Sequence, residues 1–173
     1  MRVVTRSAQP LTAVAFSPFG WLPVPDTDPA DGTDAHTLPY AWADPHLNVI
    51  AHAFDEVEHT DSGFARCDRM FRHDSHTQAL MPLNVDAIVA VAPAGIDFSS
   101  GEQLDQIEAF FLHPLDCFVL HQGTWHWGPF PLGSQPVQLL NIQGRGYLAD
   151  NVSVDLPASV GGSVEVVVQG LAV

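Results

Sequence analysis

The chain has 173 residues, enough for one domain with a closed apolar core, and with 46% of them apolar against 15% charged it does not fit a disordered chain. Its formal charge is −14 and it contains no lysine, so it lacks the basic footprint that nucleic acid or an anionic membrane surface requires. Schiff-base catalysis is excluded for want of a side-chain amine, and no apolar run approaches the roughly 18 residues of a membrane-spanning helix.

The opening "MRVVTRSAQPLTAVAFSPFG" is broken by proline and polar residues and is not expected to be a signal peptide. Within it, "TAVAFSPFGWLP" predicts one short helical turn that Pro18 and Gly20 end. The run "DTDPADGTD", Asp26 to Asp34, has turn chemistry at almost every position and predicts a solvated loop. Short runs rich in β-branched and aromatic residues then alternate with turns. They are "LNVIAHAF", "GFARCDRMFRH", "TQALMPL", "AIVAVAP", "IEAFFL", "CFVLHQ", "PVQLLNIQ" and "SVEVVVQ". Such spacing predicts a mainly β fold, a sandwich or barrel, with residues 1–173 forming one domain. Cys67 and Cys117, the two cysteines, are expected to be free thiols in a reducing cytoplasm.

Five of the nine histidines, His36, His46, His52, His59 and His113, lie in loops or at strand ends among acidic residues and are expected to be structural or superficial. The other four cluster. In "MFRHDSHTQALMP", strand alternation puts Phe71 and His73 on one face and Arg72 on the other, with His76 in the turn and Gln78 opening the next strand. In "HQGTWHWGPFPL", a tight turn at Gly123 is expected to bring His121 and His126 together across a hairpin. Neutral imidazole is a frequent metal ligand and a proton carrier near neutral pH, so both stretches are candidate site segments.

These two segments resemble the paired motifs of the cupin barrel, H-x-H-x(3,4)-E and P-x-G-x-x-H. The second histidine of the first motif falls on His73 and its acidic position on Gln78. The glycine and histidine of the second fall on Gly123 and His126, and His121 takes the place usually held by proline. A closer resemblance is to the ureidoglycolate lyase family, a cupin-type branch of allantoin and purine degradation. "AFSPFG", "RHDSHTQALMPL", "HQGTWHW" and "LLNIQGRGYLADN" look like its segments in the same order, from about Ala15 to Leu156.

The resemblance implies a cupin-like barrel (a double-stranded β-helix), a cytoplasmic homodimer and a small carboxylate or ureide substrate split into urea and glyoxylate. It implies His73, His126 and Gln78 as catalytic residues and the same three as ligands of a divalent transition metal; no nucleotide cofactor is expected. The substrate carboxylate calls for an arginine fork, for which Arg72 and Arg145 are candidates, with His121, Trp125 and Trp127 lining the pocket. Arg72 alternates away from His73 unless a bulge intervenes. One departure weakens the metal set: the family usually carries a glutamate two residues before the first-motif histidine, and Phe71 stands there. His76 or His121 is the candidate compensating ligand. Two other classes compete, a metal-dependent cupin oxygenase or isomerase on another small molecule and a non-catalytic small-acid binder.

Overall fold

A computed structural model describes residues 1–23, 41–42, 44–61 and 63–168. The loop expected at Asp26–Asp34 and His36 lie outside the described residues. In chain order the strands are β1 (Arg2–Ser7), β2 (Gln9–Pro10), β3 (Gly20–Trp21), β4 (Pro45–His52), β5 (Ala65–Cys67), β6 (Arg69–His73) and β7 (Gln78–Pro82). They continue with β8 (Ala87–Ala92), β9 (Glu108–Leu112), β10 (Phe118–Leu120), β11 (Trp125–Pro131), β12 (Val137–Gly144), β13 (Asn151–Asp155) and β14 (Gly162–Val167). Helical turns are short: α1 (Ala13–Phe16), α2 (Tyr147–Asp150) and α3 (Leu156–Val160). The fold is mainly β, as expected. No helix among the described residues is long and apolar enough to cross a membrane.

Three sheets carry these strands, ordered β1-β14-β5, β3-β10-β7-β12-β4 and β13-β6-β11-β8-β9-β2. The six-stranded sheet is the middle layer, and β8 shows why. Its sequence Ala-Ile-Val-Ala-Val-Ala is buried at every position, with Ile88, Ala90 and Ala92 entering one core and Ala87, Val89 and Val91 the other. Side-chain alternation therefore splits a continuous apolar run between two cores. The first core lies against β5 and β14 and contains Met70, Trp125 and Trp127. The second lies against the five-stranded sheet, where Phe16 meets Phe110 and Phe118 edge to face at 5.3 and 5.5 Å. Full burial of such rings contributes roughly 1.5–3 kcal/mol each.

The N-terminal turn behaves as its sequence suggests. The Thr12 hydroxyl accepts the Ala15 N–H at 3.2 Å as the α1 cap, and the turn delivers Phe16 into the core. The expected hairpin around Gly123 is different. β10 pairs with β3 and β7 in one sheet, whereas β11 pairs with β6 and β8 in another, so residues 121–124 form a corner that crosses between sheets. Alternation specifies two strands on either side of a glycine but not which neighbours each strand takes. Cys67 is buried and Cys117 half-buried, both as free thiols, and burial pushes the Cys67 thiol up.

Candidate active site

The interior face of the six-stranded sheet brings the histidines together. On β6, Arg69, Phe71 and His73 share one face, and Phe71 is the cross-strand partner of His126 on β11. His73 ends β6, His76 sits in the turn that follows, and Gln78 opens β7 on the opposite sheet. Gly123 fixes the corner: its φ is +76°, a conformation that favours glycine, and its N–H donates to the His73 carbonyl at 2.7 Å. The four residues His73, His76, Gln78 and His126 thus line one cleft with His121, Leu120 and Thr124.

The cleft is closely packed, its side chains leaving no space for a water molecule. The His73 and His76 rings stack at 4.7 Å with 21° between their planes, and the His73 and His126 rings lie 5.6 Å apart. Burial and the neighbouring His76 bring His73 down to about 4, and burial with His73 alongside brings His126 down to about 3. Both are neutral near neutral pH. The contact of His126 Nδ1 with the Thr124 carbonyl, 3.4 Å, selects the tautomer with N–H on Nδ1 and a lone pair on Nε2.

A carboxylate completes the cluster from the far side of the sequence. His76 Nδ1 lies 3.0 Å from Asp150 Oδ2, at the end of α2, and the Ser75 N–H donates to the same carboxyl at 3.0 and 3.2 Å. Burial alone raises the Asp150 pKa, but these hydrogen bonds and the adjacent histidines outweigh it and hold the carboxyl below its ordinary value. Burial lowers His76, against the raising effect of Asp150. One ligand atom from each of His73, His76 and Asp150 lies within 4.8 Å of the other two. His73 Nδ1 and His76 Nε2 are buried without a hydrogen-bond partner. Two imidazoles and a carboxylate suit a divalent transition metal, so these residues fit such an ion. His126 is not in that group.

The opposite wall is amide-rich. Gln78 Nε2 donates to Asn141 Oδ1 at 2.9 Å, and Asn141 Nδ2 donates to Asn48 Oδ1 at 2.8 Å. The chain of amides fixes Gln78 and leaves its buried Oε1 without a partner.

Other sequence-derived candidates lie elsewhere. Arg72 turns away from His73, pairs with Asp74 at 2.9 Å and stacks over Trp125 at 4.6 Å. Arg145 is exposed and faces Asp44 at 3.6 Å. Trp125 is in the first core, its indole N–H donating to the Ile96 carbonyl at 2.9 Å. None of the three lines the cleft. His121 does, with its ring 4.1 Å from Trp21. Asp150 was not a candidate from sequence, although it lies in "LLNIQGRGYLADN", and Asn141 of that same segment was likewise unassigned.

A larger cavity, about 440 Å³, opens at the other end of β6. His52, Arg66, Arg69, Phe71, Trp127 and Phe130 line it, so Trp127 walls this space and not the histidine cleft. Gly128 at φ +86° lies within a register shift between Trp127 and Phe130, the two residues of β11 that line this cavity.

None of the curated proteins compared with the chain matches it. The sequence pattern of one family does: the model described as ureidoglycolate lyase matches residues 3–160, a span that holds the His73–His76 turn, the Gly123 corner and Asp150. The chain belongs to the ureidoglycolate lyase family.

Proposed function

We propose that this protein splits the C–N bond of ureidoglycolate into glyoxylate and urea, as a single-domain cytoplasmic homodimer of cupin type serving purine and allantoin breakdown. The family match over residues 3–160 carries this reading. The substrate is a carbinolamine: as its hydroxyl proton leaves, the carbonyl of glyoxylate forms, the C–N bond breaks, and the electron pair goes to the urea nitrogen, which takes up a proton.

His126 is the proton carrier in this scheme. Its Nε2 lone pair accepts the hydroxyl proton, and burial makes the resulting imidazolium short-lived, so the same proton passes on to the departing nitrogen. Gln78, held by Asn141, presents its free Oε1 to the substrate's N–H or O–H groups. His73, His76 and Asp150 would hold a divalent metal, which when bound supplies a Lewis acid for the substrate's oxygens.

Release of urea and glyoxylate in equal amounts from ureidoglycolate, above the buffer blank and measured with and without added divalent metal, tests the reading. No release above the blank in either condition overturns it. Phe71 at a position where the family usually carries glutamate favours one competing reading, a small-acid binder without turnover. Thermal stabilisation by glyoxylate in a preparation inert towards ureidoglycolate would select it.

A further inference from the structure

The outer face of the five-stranded sheet takes no part in the histidine cleft. Along β4, alternation sends Asn48 and Ile50 inward, Ile50 against the second core, and Leu47 and Val49 outward. The strand register continues this outer face across the sheet. Val49 is paired with Leu140 and Leu140 with Met81, while Leu47 is paired with Ile142. Towards β10 the same face is closed, with Ala79 and Val119 buried. At the β4 end it is open: Leu47 is 63% and Val49 54% exposed, and Leu140, Ile142 and Met81 are half-buried. β4 is also the last strand of its sheet, so among the described residues its outer edge has no strand beside it.

Charge narrows what can cover this face. β4 and β12, eight residues each, contain no Asp, Glu, Lys or Arg, in a chain with 20 acidic residues and a net charge of −14. A long edge strand is usually protected from pairing by a charge or a proline along it, and β4 has only the proline at its start, Pro45. Two copies of so acidic a chain repel each other at most approaches, and an uncharged apolar face is the approach that avoids the repulsion. A two-fold axis sets the same patch of each copy against the other, so an apolar, uncharged patch is its own complement. The buried centres of protein interfaces are depleted of charge in the same way.

We infer that the outer face of β4 and β12 is the contact between two copies of this chain, packed sheet against sheet with Leu47 and Val49 at its centre. The inference takes the dimer from the reading above and gives it a surface; it does not depend on the chemistry of the cleft. The same strand supports that cleft from its other side. Asn48, between Leu47 and Val49, accepts an N–H of Asn141 at 2.8 Å, and Asn141 accepts the Gln78 N–H at 2.9 Å. A second copy on the outer face therefore backs the amide chain that fixes Gln78.

Sedimentation equilibrium of the full chain over a wide range of concentration, in low and in high salt, tests this. The parent is expected to be a dimer that salt tightens, because screening removes the repulsion between the two acidic copies and leaves the apolar contact intact. The double variant Leu47→Glu, Val49→Glu is expected to weaken association about a hundredfold or more, since the two-fold axis brings the new carboxylates together. Leu47→Ser with Val49→Ser, which adds no charge, is expected to weaken it about tenfold or more and decides the matter if the glutamate variant does not fold. Val14→Glu, at a position 86% exposed on α1, is the control and should remain a dimer. Circular dichroism and the melting midpoint establish that each variant is folded. A parent that stays monomeric in every condition leaves the face to another protein or another segment of the chain and overturns both the dimer and the surface. A dimer that salt dissociates, or one that the folded variants leave intact, overturns the surface alone. None of these outcomes alters the release of urea and glyoxylate from which the lyase reading stands or falls.

Discussion

Phe71 and His126 are paired across the β6–β11 ladder, yet Phe71 lines the larger cavity and His126 the histidine cleft. The position that the family usually gives to glutamate thus borders the larger cavity and not the cleft. The acidic partner of the histidines comes instead from Asp150, next to His76.

His126→Ala is expected to lower turnover of ureidoglycolate about 10²–10⁴-fold, the usual contribution of a general acid–base group. His113→Ala, which alters a surface contact with Asp86 3.1 Å away, is the control and should leave turnover nearly unchanged. Rates are compared at matched folded concentration. Equal rates for His126→Ala and the parent would remove His126 from the chemistry.

Asp150→Asn should weaken divalent metal binding by about tenfold or more, because a neutral amide is a poorer ligand than a carboxylate. His126→Gln should leave that affinity within about twofold, being outside the ligand group. Titration of chelator-treated protein with Zn²⁺ or Mn²⁺ measures both. The opposite ranking would place the ion on the His126 side of the cleft.

Acid should destabilise the metal-free protein. His73 and His126 titrate at about 4 and about 3 when folded, below their ordinary value of 6.5. Between 6.5 and those values the unfolded chain binds more protons, so stability falls as pH is lowered through that window. Above it, these two groups add no pH dependence. Each contributes a slope of at most about 1.4 kcal/mol per pH unit. Guanidinium unfolding from pH 8 to pH 4 should show the decline, and it should be shallower in His126→Gln. Identical slopes would show that burial does not suppress His126 protonation.

Gly123→Ala should cost about 1–2 kcal/mol, the penalty of a side chain in the left-handed region. The added Cβ would also lie 3.2 Å from Ala94 Cβ. Because the Gly123 N–H holds the His73 carbonyl, turnover should fall along with the denaturation midpoint. A stable variant with full activity would show that the corner does not position His73.

The strands were legible in the sequence because alternation and turn residues are local signals. β1 and β13 were missed: "RVVTRS" and "NVSVD" are short, mostly polar and only partly buried, so neither has a clear apolar face. Sheet membership was illegible. The glycine at 123 predicted a hairpin, yet the partners of β10 and β11 are set by strands far along the chain. In the site, His73, Gln78 and His126 followed from motif spacing and do share a cleft. Asp150 did not, since its contact with Ser75 joins residues 75 positions apart. Arg72 and Arg145 drew attention as arginines near recognisable segments, but ion pairing is a property of neighbours in space and both are occupied by aspartates.

The burial of β8 on both faces also bears on how the protein comes apart. One strand closes two cores, so melting either core exposes half of β8 and withdraws support from the other. The two cores are therefore expected to unfold in a single cooperative transition, with β8 amides among the last to exchange with solvent. Once freed, its uncharged, β-prone run is a ready template for pairing with another chain, which makes loss of the native state a route to aggregation.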